Sequence, residues 1–312
     1  MTTWDGRGLP PVAQARAERF RSSPMRTSLL SVPAAASLES VGFDTVGEVM
    51  GCIVERISWA TYAGCGLAYG GGYGSAGYAG GMFSSGGVPV QSATSRFSGY
   101  GPYVSALNTG YDTALHRMLL EAASLGADGV VGVRLTVERL QGEAREFMAL
   151  GTAVRARSGT RPAAPFSTEL PGTDFAKLVM SGWIPVALQY GLEVAIRHDD
   201  YQTRAQAGSG LFNTRNVEVS GYTELVQHTR AAARDKLARK IATAGADGGV
   251  ISGMSLKMWE IEPSDGHTDH VAEAMVTGTA IAAFGRTASS RAAAGAGTRA
   301  GTLTILPTRP TR

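Results

Sequence analysis

The spacing of apolar residues changes several times along the chain, from the period of two typical of a strand to the longer period of a helix. Alternating or β-branched runs predict strands, which in chain order cover residues 28–32, 46–55, 130–139, 146–156, 166–170, 183–196, 249–259 and 271–284. Helical spacing predicts long helices over Tyr103–Leu125 and Tyr222–Ile241, and a short one over Val12–Phe20. The glycines after the long helices, Gly126 and Gly245, are typical left-handed caps.

These elements occur twice in the same order, and short sequence motifs repeat with them. The segment 125–131 (LGADGVV) recurs as 244–250 (AGADGGV), and 148–154 (MALGTAV) recurs as 275–281 (MVTGTAI). A third repeated motif lies upstream, where Gly42, Phe43 and Gly51 correspond to Gly182, Trp183 and Gly191. Motifs that repeat in one order at similar spacing indicate a duplicated domain.

Each copy is predicted to be an α+β unit of order ββαββ, an antiparallel sheet with one long helix on one face. The predicted domains are residues 28–160, with a Gly/Tyr-rich insertion at 57–100, and residues 161–285. Flexible basic segments are expected at 1–27 and 286–312. One helix covers only part of a sheet, so the uncovered faces or edges are expected to pair with the sister copy or with neighbouring chains.

Charge is distributed unevenly along the chain. The whole chain has a formal net charge of +3, while residues 1–27 carry +3 and residues 286–312 carry +5, which leaves −5 for the body. So few basic charges predict solvated ends and no specific nucleic-acid binding. The two cysteines, Cys52 and Cys65, and the lack of a secretory signal predict a cytoplasmic protein with reduced thiols.

The stretch Ile57–Ser95 has no charged residue and is dense in glycine, alanine, serine and tyrosine. Glycine at this density disfavours a transmembrane helix. Three interpretations stay open: a flexible surface loop, an apolar hairpin that lines a ring or contacts a neighbouring chain, and contact with a membrane surface through the tyrosines.

The repeated motifs are similar to those of a known family. A helix that ends in L-G-A-D-x-V-V-G-V at 125–133 and a last strand that ends in G-T-A-V at 151–154 resemble the YbjQ-like family, whose label is heavy-metal-binding. The resemblance is best over Tyr111–Arg155, and the second copy matches at 244–250 and 278–281. It implies a tandem of dodecin-like α+β subunits that assemble into closed rings, which are pentameric in the simple single-domain members.

The best candidate for a divalent metal site is the turn of the last hairpin. Its potential ligands are Asp265, His267, Asp269 and His270, with Glu262 nearby. The two histidines are three residues apart, and together with carboxylates they offer borderline and hard ligands. The alternative is a solvated turn, because polar residues are expected there and the first copy has only Gly142 and Glu143 at its equivalent turn.

Other motifs give weaker evidence for a functional site. A Cys52–Cys65 pair lacks a recognised metal-ligand spacing, and Cys52 aligns with Leu192 as a core residue. Gly72, Gly74 and Gly77 match a dinucleotide fingerprint without a surrounding βαβ unit. Asp128 and Asp247 are expected to form turns, and Gly151 and Gly278 to allow close backbone approach. The isolated histidines are His116, His198 and His228.

With no serine elbow or Walker loop in the sequence, we predict a protein that is not an enzyme. The predicted function is an oligomeric scaffold or ligand-binding ring built from two YbjQ-like domains. The alternatives are a heavy-metal-binding module that uses the 262–270 loop, and an assembly that contacts a membrane surface through the Gly/Tyr-rich insertion.

Overall fold

A computed structural model describes residues 4, 8–22, 27–57, 97–159, 161–208, 216–264 and 267–283. The helices within these residues are α1 (Pro11–Ser22), α2 (Val32–Ser40), α3 (Gly101–Ser124), α4 (Gly172–Met180), α5 (Tyr201–Ala207) and α6 (Ser220–Thr243). The strands are β1 (Phe43–Arg56), β2 (Ser98–Gly99), β3 (Gly129–Arg139), β4 (Ala144–Ala156), β5 (Phe166–Ser167), β6 (Trp183–His198), β7 (Gly248–Ser264) and β8 (His267–Ala283).

The strands form two four-stranded sheets, in the orders β1-β4-β3-β5 and β2-β6-β8-β7. All pairs are antiparallel except that of β3 with β5, which confirms the α+β class. The order short helix, strand, long helix, hairpin occurs twice among the described residues, as α2-β1-α3-β3-β4 and as α4-β6-α6-β7-β8. The caps Gly126 and Gly245 have φ of +68° and +66°, as predicted.

The predicted order ββαββ is wrong in its first element. The run 28–32, predicted as a strand, instead leads into α2, because the Ser31 hydroxyl accepts the N–H of Ala34 and a proline lies in the first turn. In the second half, the predicted strand 166–170 shortens to the two residues of β5, and α4 precedes β6. Each half therefore begins with a short helix in place of a strand.

Each long helix rests on a glycine in the strand beneath it. A Cβ on Gly51 of β1 would lie 2.0 Å from the carbonyl oxygen of Ala114 in α3. A Cβ on Gly191 of β6 would lie 1.9 Å from the carbonyl oxygen of Ala233 in α6. Both contacts are shorter than any side chain allows, so only glycine permits this backbone approach. The two helix–strand crossings therefore correspond.

The elements stack in four layers, in which α3 lies between the two sheets. One side of α3 packs on Val49 and Phe147 of the first sheet. Its other side packs on the second sheet, where the Tyr190 hydroxyl donates to Asp112 Oδ1 at 2.7 Å. Helix α6 covers the opposite face of the second sheet. The order of layers is therefore first sheet, α3, second sheet, α6.

Charged side chains of the long helices lie against the strands that these helices cross. Glu121 of α3 is fully buried, accepts the N–H of Met50 at 2.8 Å, and forms an ion pair with Arg16 of α1. The corresponding residue of α6 is Lys240, whose ammonium lies 3.8 Å from the centroid of the Tyr190 ring. Equivalent helix positions thus carry opposite charges.

Candidate functional site

One face of the first sheet presents apolar side chains that the described residues leave half-exposed. This outer face is formed by Met50, Cys52, Val54, Met148 and Leu150, which point away from α3 because side chains alternate along a strand. Met50 pairs with Leu150 and Cys52 with Met148 across β1 and β4. Val54 is 54% exposed, and the other four are half-buried.

Helices α2 and α4 cover only one end of this face. Leu38 of α2 and Phe175 of α4 are fully buried there against Val131 and Val154. The outer face begins beyond that cluster. Among the described residues, no other helix covers the middle and far end of this face.

The second sheet buries the corresponding positions inside the chain. On β6 these residues are Leu188, Tyr190, Leu192, Val194 and Ile196, all less than 5% exposed beneath α3. Aligned on Gly51 and Gly191, Cys52 corresponds to Leu192 and Val54 to Val194. Within the described part of the chain, the same face is thus covered by a helix in the second sheet and left half-exposed in the first.

A second feature is a buried polar cluster where β6 and β8 meet the first turn of α6. Arg197, Asp199 and His270 are 5%, 3% and 4% exposed. The His270 ring lies between two carboxylates, with Nδ1 2.9 Å from Asp199 Oδ2 and Nε2 3.0 Å from Glu260 Oε1. We refer to these residues, with Tyr222, as the His270 cluster.

Tyr222 closes the His270 cluster on the side of α6. Its ring centroid lies 4.3 Å from that of His270, and its hydroxyl is hydrogen-bonded to Asp199. Burial, and then the negative charges of Asp199 and Glu260, raise the pKa of Tyr222 to about 12. The phenol therefore stays protonated at neutral pH and acts as a donor.

Three side-chain atoms of the His270 cluster are buried without a hydrogen-bond partner in the part of the chain that the structure describes. They are Arg197 Nη1, Asp199 Oδ1 and His270 Nδ1. The 2.9 Å between His270 Nδ1 and Asp199 Oδ2 is short enough for a hydrogen bond, but the atoms are not aligned for one. Orphaned polar atoms are uncommon in protein interiors and call for an explanation.

The structure places two members of the metal site predicted from the sequence, Asp269 and His270. Asp269 and His270 are neighbours on β8, so their side chains lie on opposite faces of the sheet. Asp269 is 1% exposed and lies 2.7 Å from His198 Nδ1. His267 is the first residue of β8, and Asp265 lies outside the described residues. Glu262 is exposed on β7.

His270 is instead brought together with Asp199 and Glu260, which the sequence analysis did not single out. Across all described residues, no group of three or more histidine, cysteine, aspartate or glutamate side chains is arranged to hold a metal ion. Asp199 directly follows β6, and the antiparallel pairing of β6 with β8 aligns Arg197 with His270. That register is the signal that could have identified the cluster.

Other predicted residues have structural surroundings. The carboxylates of Asp128 and Asp247 accept the N–H groups of Ala156 and Ala283, which links each helix-to-strand turn to the end of the following hairpin. A Cβ on Gly151 or Gly278 would lie within 2.7 Å of a neighbouring residue, which confirms the close approach.

The remaining motifs are divided between described and undescribed segments. Cys52 is a free thiol on the outer face, and His228 stacks on Phe97 with centroids 4.4 Å apart. His116 is exposed on α3. Cys65, the Gly72–Gly77 motif and most of the Gly/Tyr-rich insertion lie outside the described residues. Among the described helices, none is long and apolar enough to span a membrane.

Comparison with known proteins gives a match to a family over a short segment and a relative similar over most of the chain. A YbjQ family described as "Putative heavy-metal-binding" matches residues 90–157. The "Encapsulin nanocompartment protein Rv1762c" of Mycobacterium tuberculosis is 30% identical over 285 residues, which cover 88% of this chain and 91% of that protein.

Shorter relatives match part of the chain. The UPF0145 proteins of Halorubrum lacusprofundi and Archaeoglobus fulgidus are 44% and 47% identical over 55 residues. These 55 residues are 18% of this chain and about half of each relative, at 53% and 51%.

Proposed function

Because the chain belongs to the same family as the mycobacterial nanocompartment protein and contains a YbjQ-like segment, we propose that it is a non-enzymatic scaffold that assembles with copies of itself. The outer face of the first sheet is the proposed contact. The name of the mycobacterial relative refers to a nanocompartment, which supports a role in assembly.

The observation that carries this proposal is the difference between the two sheets. The second sheet buries Leu192 and Val194 under α3, whereas the first sheet leaves the equivalent Cys52 and Val54 accessible. Removing such apolar surface from water is favourable, and exposed apolar patches usually mark contacts. A second copy of the chain is the occupant that a self-assembling family favours.

The finer proposal is a tandem of two dodecin-like, YbjQ-like domains, residues 28–160 and 161–285, in a closed ring. The corresponding glycine crossings at Gly51 and Gly191 and the repeated strand order support the tandem. Head-to-tail contacts between copies close into rings when their rotation permits, and the family resemblance implies five copies for the single-domain members. The free thiol of Cys52 supports the cytoplasmic location proposed with it.

Size-exclusion chromatography with light scattering tests the assembly at micromolar concentration. We expect the wild type to elute as an oligomer, and Val54→Lys or Met148→Lys to lower its mass, because a charge on the outer face opposes its burial. Met258→Lys is the matched control, since Met258 is also a half-exposed strand residue, at 43%, but lies on β7 of the second sheet. A monomeric wild type would refute the proposal.

A further inference from the structure

The His270 cluster has the donor set of a metal site, which lies outside the segment 90–157 that matches the heavy-metal-binding family. The imidazole of His270 and the carboxylate of Asp199 are both more than nine-tenths buried, and each has an atom without a hydrogen-bond partner in the described chain. Burying polar atoms unpaired is costly, so two of them side by side indicate a missing partner.

We propose that His270 Nδ1 and the Asp199 carboxylate bind one divalent first-row transition-metal ion. The spacing of the two groups supports this assignment. Two ligand atoms at right angles around a metal, each bound at about 2.1 Å, lie about 3 Å apart. The observed separation of 2.9 Å, without hydrogen-bond alignment, matches two adjacent ligands of a six-coordinate ion.

Glu260 prepares the imidazole for this role. Its Oε1 lies 3.0 Å from His270 Nε2, so the ring donates its N–H there and leaves the Nδ1 lone pair free for the metal. Carboxylates that accept the second N–H of a metal-bound histidine orient the ring and raise its basicity. Tyr222 holds both ligands in place, because it packs on the His270 ring and is hydrogen-bonded to Asp199.

The charge around the cluster also favours a cation. Arg197 Nη2 donates to Asp200 Oδ2 at 2.9 Å, and Nη1 lies 3.7 Å from Glu224 Oε2, so its positive charge is matched by those two carboxylates. The negative charges of Asp199 and Glu260 remain beside His270. A divalent ion would neutralise this surplus, and if both oxygens of the Asp199 carboxylate bound it, Oδ1 would also gain the partner that it lacks.

The ligand types narrow the choice of ion. An imidazole nitrogen with a carboxylate suits zinc, nickel, cobalt or copper better than magnesium or calcium, which prefer oxygen ligands alone. The described residues supply two protein ligands, so water completes the coordination. We therefore expect weaker binding than in a structural zinc site with four protein ligands.

The test is titration of the chelator-treated full chain with cobalt(II), followed by calorimetry and by the visible absorption of the ion. We expect one cobalt(II) per chain, with an absorption typical of six-coordinate cobalt. Asp199→Asn and His270→Gln should each weaken binding more than tenfold, and Glu260→Gln about tenfold. His198→Gln is the matched control and should bind like the wild type, because His198 faces Asp269 on the other side of the sheet.

Thermal unfolding without metal shows whether each variant is folded. If His270→Gln does not fold, Asp199→Asn and Glu260→Gln decide the outcome. No cobalt binding at millimolar concentration would overturn the proposal. Equal affinity of the wild type and Asp199→Asn would overturn it as well. The readouts are independent of the oligomeric state and therefore of the scaffold proposal.

Discussion

At the scale of single residues, burial changes the acidity of the Glu169 carboxyl. It lies between β5 and α4, where Ser252 of β7 donates to it and Thr277 of β8 is also hydrogen-bonded to it. Burial raises its pKa from an ordinary 4.5 to about 7, although the hydrogen bond with Thr277 opposes the shift. Between pH 4.5 and about 7, the folded chain therefore keeps a proton on Glu169 that the unfolded chain releases.

Replacing Glu169 with glutamine should remove a pH dependence of stability. Because the folded pKa of about 7 exceeds 4.5, the contribution of this proton is complete below pH 4.5 and is lost as the pH rises through 7. Urea unfolding should show Glu169→Gln and the wild type to be similar near pH 5. Near pH 8 the variant should be more stable by about 1–2 kcal/mol.

The control for this measurement is Glu18→Gln, which changes an exposed carboxylate of α1. Because an exposed ion pair contributes little to stability, this variant should unfold much like the wild type. If Glu169→Gln shifted stability equally at both pH values, protonation of Glu169 would not be the cause.

At the scale of elements, the docking of a long helix on its strand depends on one glycine. Gly51→Ala would place a methyl group 2.0 Å from the Ala114 carbonyl oxygen, so α3 would have to lift from β1. We expect a loss of about 3 kcal/mol in unfolding free energy, at the upper end of overpacking effects. Gly99→Ala is the control, since nothing lies within 4 Å of its added methyl, and it should change stability little. Equal losses in denaturant unfolding would contradict this account.

A second element-scale prediction concerns the edge of β1. Glu121→Ala would leave the Met50 N–H and the Arg16 guanidinium without their buried carboxylate. Removing one member of a buried ion pair leaves the other charge without a partner. We therefore expect the free energy of unfolding in urea to fall by about 3 kcal/mol. Glu18→Ala removes only an exposed partner of Arg21 on α1 and should have a small effect. A loss below about 1 kcal/mol for Glu121→Ala would mean that the edge does not depend on this pair.

The sequence predicts elements well where a pattern is long and poorly where a contact is distant. Helices α3 and α6 and their hairpins follow from sustained periodicity and glycine caps. Helix α2 was missed because the apolar run at 28–32 resembles a strand, although Ser31 and Pro33 form a helix-start signal. The two-residue strand β2 depends on a partner far along the chain, which no local pattern reveals.

The candidate site shows the same limit. His270 was singled out because it lies near His267 and two aspartates in sequence, and proximity in sequence suggested a shared turn. Strand alternation instead turns Asp269 away and places His270 against Asp199, 71 residues earlier. Only the register between β6 and β8 could place these groups together.

At the scale of the whole molecule, α3 belongs to both halves. Tyr111 on this helix lies edge-on to Phe147 of the first sheet, with centroids 5.1 Å apart, and 5.4 Å from Tyr190 of the second. A shared central helix couples the two sheets, so we expect them to unfold in one cooperative transition.

Tyr111→Ala should weaken both halves at once. We expect a loss of about 4 kcal/mol, typical of removing a buried aromatic ring, with amide exchange accelerated in β1 and in β6 alike. Tyr201→Ala, which removes a side chain that is 84% exposed, should leave exchange unchanged. Faster exchange confined to one sheet would show that the halves are independent.

The opposite charges at Glu121 and Lys240 have a consequence for which strand each long helix can pack on. If α6 took the place of α3, the Lys240 ammonium would face the Met50 N–H and the Arg16 guanidinium. Two positive charges would then repel each other, and the N–H would have no acceptor. If α3 took the place of α6, a carboxylate would face the electron-rich ring of Tyr190. Each helix is therefore electrostatically matched to its own strand. This match disfavours the exchange of halves between neighbouring copies of the protein.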